Sequence, residues 1–109
     1  NINFLGETAR PLMGISAPCD FIIITNSKLK NNSIRFNHSK DFDSYPPTHI
    51  GITNSVFTQS GESVIIENDS PFKEIYLNTS GNTVLNKDTY FKVKENKGKI
   101  YVNSDLPGL

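Results

Sequence analysis

One cysteine, Cys19, stands among 109 residues, and there is no tryptophan. A single cysteine excludes an intrachain disulfide, so an apolar core has to hold the fold. Surplus charge is also missing: eleven Lys and Arg balance eleven Asp and Glu. A nucleic-acid groove needs a basic excess to displace counterions, and a lipid-binding patch needs a basic cluster. We therefore expect no nucleic-acid partner and no membrane partner. No apolar run approaches the roughly 20 residues of a membrane-spanning helix, and no signal-peptide pattern is present. Helical spacing is lacking too, since no window repeats apolar residues at i, i+3, i+4 and i+7 over three turns.

What remains is β-forming. Hydrophobic residues make up 36% of the chain and charged ones 20%, with Asn, Ser and Thr abundant and seven Phe and four Tyr to fill a core. The dominant period is two. "DFIIITN", "SIRFN", "HIGIT", "ESVIIEN", "KEIYLNT", "TYFKVKE" and "GKIYVN" are short apolar runs separated by Gly, Pro, Asn and Ser clusters. Such spacing predicts an all-β antiparallel β-sandwich or jelly roll of about 7–8 strands. Gly61, Gly81 and Gly98 mark tight turns, with a hairpin expected over "KENKGKIYV". We find no internal repeat.

The expected organisation is an N-terminal arm over 1–19, a β-sandwich domain over 20–103 and a C-terminal tail over 104–109. The chain begins at Asn1 rather than Met, which reads as a processed product or an excised piece. Alternation places Phe21, Ile23, Ile34, Phe36, Ile50, Ile52, Val64, Ile66, Ile75, Leu77, Phe91, Val93, Ile100 and Val102 in the core. Phe21 and Ile22 could exchange faces, because "FIII" carries no polar marker of register.

Catalytic chemistry has little to draw on. Cys19 lies beside Asp20, whose charge opposes a thiolate, and no Ser sits in a nucleophile-elbow context. His38, Asp41 and Asp43 could converge on a cation, but Lys40 among them favours a solvated polar loop. We expect no enzyme activity, no cofactor and no metal. Contact residues are sought in loops: Tyr45, Pro46, Pro47 and His49 around the consecutive prolines, with Phe4, Leu12 and Met13 in the arm, which is too apolar to leave in water.

The order "IITNSK…NSIRF…GITNSVFTQSGESVIIENDSPFKEIYLNTSGNT" resembles a small β-sandwich module of bacteriophage virion proteins. The likeness is carried by the turns at Thr25–Ser27, Ser60–Ser63 and Ser80–Gly81 and by the Ile75–Tyr76 pair. It implies a non-enzymatic capsid-decoration, head-fibre or tail-associated domain in a virion, packing on other virion subunits or on itself as a homo-oligomer. The alternative is a bacterial surface adhesin or pilin-like sandwich that binds a host-surface glycan or protein.

Overall fold

A computed structural model describes residues 3–15, 20–37, 46–71 and 73–109. They form ten strands and, among the described residues, no helix. The strands are β1 (Asn3–Ile15), β2 (Phe21–Thr25), β3 (Lys28–Phe36), β4 (Thr48–Thr53), β5 (Val56–Phe57), β6 (Glu62–Asn68), β7 (Ile75–Ser80), β8 (Thr83–Val84), β9 (Tyr90–Lys94) and β10 (Ile100–Asn103). One sheet runs β8-β5-β3-β6-β9, with β1 also on β3; the other runs β10-β7-β4-β2.

Every pairing is parallel. This overturns the antiparallel sandwich or jelly roll. All-β composition stands, but the chain winds as a parallel β-solenoid. In the four-stranded sheet Phe21 pairs with His49, His49 with Tyr76 and Tyr76 with Tyr101. Those residues are 28, 27 and 25 apart, so one coil takes about that many residues. No described strand is hydrogen-bonded to the strand that follows it in sequence. The hairpin expected over "KENKGKIYV" is therefore a corner: β9 lies in one sheet and β10 in the other.

Two-residue corners drive the winding. Asn26, Asn54 and Gly81 follow β2, β4 and β7 with φ of 52°, 51° and 66°. Left-handed backbone is the conformation that Asn and Gly accept at least cost. The next residue then lends its side chain to the coil behind. Ser27 N–H donates to Ser55 Oγ at 3.2 Å, Ser55 N–H to Asn82 Oδ1 at 2.9 Å, and Asn82 N–H to Asp105 Oδ2 at 3.1 Å. Each corner amide is thus satisfied by its successor.

Between the sheets lies the core. Ile34, Phe36, Ile50, Ile52, Ile66, Ile75, Leu77, Phe91 and Ile100 are buried as alternation requires, joined by Ile24, Leu29, Phe57, Ile65 and Leu106. Phe57 and Phe91 meet edge to face at 4.9 Å. Phe21 and Ile23 instead point outward at 68% and 75% exposure, while Ile24 is buried and Ile22 half-buried. The register of "FIII" is the swapped one, set by pairing with Ile50 and Ile52 of β4. Val64 and Val93 are half-buried and Val102 is exposed. A bulge between Val64 and Ile66 turns both Ile65 and Ile66 inward.

β1 lies parallel to β3 and adds one turn in its sheet. At the opposite end the segment after β10 folds back: Phe91 N–H donates to Pro107 O at 2.7 Å, and Leu106 is 3% exposed. β9 is thereby covered on its outer edge.

Candidate functional site

Parallel stacking places equivalent residues of successive coils in rows, so each outward-facing position becomes a stripe. The four-stranded sheet presents Phe21, His49, Tyr76 and Tyr101 as one such stripe. Their rings stack at centroid distances of 5.6, 5.0 and 4.8 Å, with interplanar angles of 26°, 15° and 16°. Stacked rings of this kind contribute about 0.5–1.5 kcal/mol per pair. In such a stack each inner ring spends its faces on its neighbours, so His49 and Tyr76 offer edges to solvent. The stripe therefore clamps coils together more than it offers a stacking platform. Tyr101 Oη donates to Glu74 Oε2 at 3.1 Å, which pushes the Tyr101 phenol pKa up.

The six-stranded sheet carries a notch. β3 pairs with β5 at Lys28 and Leu29 and with β6 from Ile34 to Phe36. From Leu29 to Ile34 the chain advances five residues; the next coil takes nine, from Phe57 to Ile66, to cover the same ground. Asn31, left-handed at φ 52°, sits in the short coil. The start of β6 therefore reaches past β3 and pairs onward with β9, Glu62 to Tyr90 and Ser63 to Phe91. The step leaves a cavity of about 350 Å³ lined by Asn31, Ser33, Glu62, Ser63, Val64, Glu67 and Lys94.

Its electrostatics are balanced. Lys92 Nζ lies 2.5 Å from Glu62 Oε1, and Lys94 Nζ 3.9 Å from Glu67 Oε1. The hydrogen bond from Lys92, followed by that from the Tyr90 hydroxyl at 3.2 Å, holds the Glu62 carboxyl below its ordinary pKa. Glu62 in turn raises Lys92. Beneath them, Gln59 Nε2 donates to Ser63 Oγ at 3.1 Å, while the buried Gln59 Oε1 has no partner among the described residues. Among the described residues no three His, Cys, Asp or Glu side chains converge as a metal site.

The structure brings few of the sequence candidates together. Pro46 and Pro47 are exposed beside β4, and Pro46 O accepts a hydrogen bond from the buried Lys73 Nζ. His49 belongs to the aromatic stripe. Phe4, Leu12 and Met13 lie in β1, opposite or near Leu29 to Ile34 of β3. Tyr45, His38, Asp41, Asp43 and Cys19 lie outside the described residues. Asn68, one of four Asn-x-Ser/Thr sequons, is fully buried and unavailable to a glycan. The notch was not anticipated, although Glu62 and Glu67 are visible in the sequence as a pair of acidic residues. No family model, curated protein or solved structure matches this chain.

Proposed function

We propose that this chain is a non-enzymatic structural and attachment module, one length of solenoid within an elongated virion or surface assembly. The observation that carries the reading is the half-finished coil at the β2 end. β1 extends the six-stranded sheet by one strand, whereas among the described residues nothing pairs with β2 on the same side. An unpaired edge is a template for a further strand, and repeat folds bury their faces only against neighbouring repeats. One strand parallel to β2 and leading into β1 completes the coil.

Virion membership comes from the resemblance in the sequence. Of the turns that carry it, Thr25–Ser27 and Ser80–Gly81 lie at solenoid corners, whereas Ser60–Ser63 joins two strands of one sheet.

The test is to join a copy of residues 48–53, Thr-His-Ile-Gly-Ile-Thr, directly before Asn1. Amide exchange of Phe21–Thr25 should slow and the melting temperature rise, while a permuted hexapeptide does neither. If β2 exchanges equally fast with both, its edge does not receive a coil and the reading fails.

A further inference from the structure

We infer that the notch between β3 and β6 is a binding site for a neutral, polyhydroxylated ligand: a mono- or disaccharide unit of a glycan. This goes beyond the structural role proposed above and is independent of it, because the notch lies in the other sheet from the open β2 edge.

The cavity has a structural origin in unequal coil lengths. Asn31 in its left-handed conformation keeps the β3 side short, and Glu62 to Val64 on the β6 side find their partners on β9. At about 350 Å³ it lies at the small end of ligand pockets, which run roughly 300–1,000 Å³.

The lining selects the ligand class. Among the described residues Val64 is its one apolar side chain, so a lipid or aromatic ligand would gain little from burial against them. Glu62 and Glu67 oppose a phosphate or a uronate. A cation finds the same two carboxylates already facing Lys92 and Lys94. What suits alternating fixed charges, an amide and two hydroxyls is a molecule that donates and accepts at many points without net charge. Sugar hydroxyls do this: each donates a hydrogen bond to a carboxylate oxygen while accepting one from an ammonium or amide N–H. The Tyr90 hydroxyl and Lys92 hold the Glu62 carboxylate in place, and Gln59 holds Ser63 Oγ, so the acceptors are positioned before a ligand arrives.

The experiment is a nitrogen-15 amide titration of the full chain with neutral disaccharides (lactose, maltose, cellobiose and diacetylchitobiose). Inorganic phosphate and glucuronate serve as charged probes. At least one neutral sugar should shift the amides of Asn31, Ser33, Ser63 and Glu67 as one saturable set. Glu67→Gln and Asn31→Gly should weaken that binding by roughly tenfold, the scale of one charge-assisted hydrogen bond. Asn31→Gly keeps the left-handed backbone, so its spectrum elsewhere should be unchanged. Asp88→Asn, outside the notch, should bind as the parent does. The inference is overturned if no neutral sugar moves these amides, if phosphate or glucuronate moves them more strongly, or if the shifts survive both substitutions.

Discussion

Gly98→Ala should be among the most damaging small substitutions available in this chain. A Cβ at Gly98 would stand 2.2 Å from Ser70 O, 2.4 Å from Asn68 Nδ2 and 2.7 Å from Lys73 O. Two of these are backbone atoms and the third belongs to a fully buried amide, so none can swing away. Asn68 is the knot of this corner. Its Nδ2 donates to Lys73 O at 2.8 Å and Lys99 O at 3.3 Å, and its Oδ1 accepts from Ser70 N–H at 3.1 Å. Its carbonyl receives the amides of Lys97 and Gly98. Overpacking of a tight site costs about 1–3 kcal/mol, and leaving a buried polar group unsatisfied costs about 1–3 more. A loss of about 2–6 kcal/mol follows, a large share of the roughly 5–15 kcal/mol typical of a domain. Gly51 is the internal control, because a Cβ there meets nothing within 4 Å. Gly51→Ala should stabilise β4 by about 0.5–1 kcal/mol by restricting the unfolded chain. Urea unfolding followed by far-ultraviolet dichroism reads both, since no tryptophan is present for fluorescence. If Gly98→Ala falls within about 1 kcal/mol of the parent, the corner is not the rigid contact described.

Phe91→Ala should cost about 3–5 kcal/mol, whereas Phe21→Ser, at a site 68% exposed, should lose only its stack on His49, about 0.5–1.5 kcal/mol; a loss for Phe21 comparable to that for Phe91 in urea melts would restore it to the core. Asn54→Gly should be nearly neutral and Asn54→Ala should cost about 1–2 kcal/mol, because φ is 51° there; equal melting temperatures would mean the corner relaxes. Asp105 is pushed up by burial, but hydrogen bonds from the Thr79 hydroxyl and from Asn82 outweigh this and hold its carboxyl below the ordinary range. A lowered folded pKa means the unfolded chain binds the proton more readily. Its stabilisation is therefore complete above the unfolded value of about 3.9 and fades as pH falls through the folded one. Asp105→Asn should flatten the acid limb of a stability profile without changing its slope between pH 5 and 8. Deleting residues 1–18 removes the pairing of β1 with β3 and should lower the melting temperature; an unchanged value would show that β1 adds nothing to the fold.

Strand positions and much of the core were legible because period-two alternation reports which side chains face inward. That signal is blind to strand direction. "HIGIT" reads the same whether its neighbour runs parallel or antiparallel, and turn residues between runs suggest hairpins by default. Direction is written elsewhere, in an internal recurrence that overturns the expectation of no repeat. Ile24-Thr25-Asn26-Ser27 and Ile52-Thr53-Asn54-Ser55 are the same tetrapeptide one coil apart, and Thr79-Ser80-Gly81-Asn82 is its third, diverged copy. Each places a left-handed residue at a corner, and just after it Ser55 and Asn82 accept from the corner amide of the coil behind. A repeat of about 28 residues carrying an Asn corner signals a solenoid.

The notch was illegible for a different reason. It arises from a difference in length between coils, five residues from Leu29 to Ile34 against nine from Phe57 to Ile66, and length differences acquire meaning only after coils are aligned. Before that alignment, Glu62 and Glu67 are two acidic residues at the ends of one run, Asn31 a loop former and Lys94 a charge on another strand. Stacking β3, β6 and β9 in register brings all four to one cavity. The corners fix the register, and the unequal lengths between them create the cavity. Lengthening the short coil beside Asn31 by four residues, to match its neighbour, should let β3 run on over β6 and fill the notch while leaving the corners at Asn26 and Asn54 intact. Such a variant should fold and lose sugar binding, and retained binding would place the sugar somewhere else.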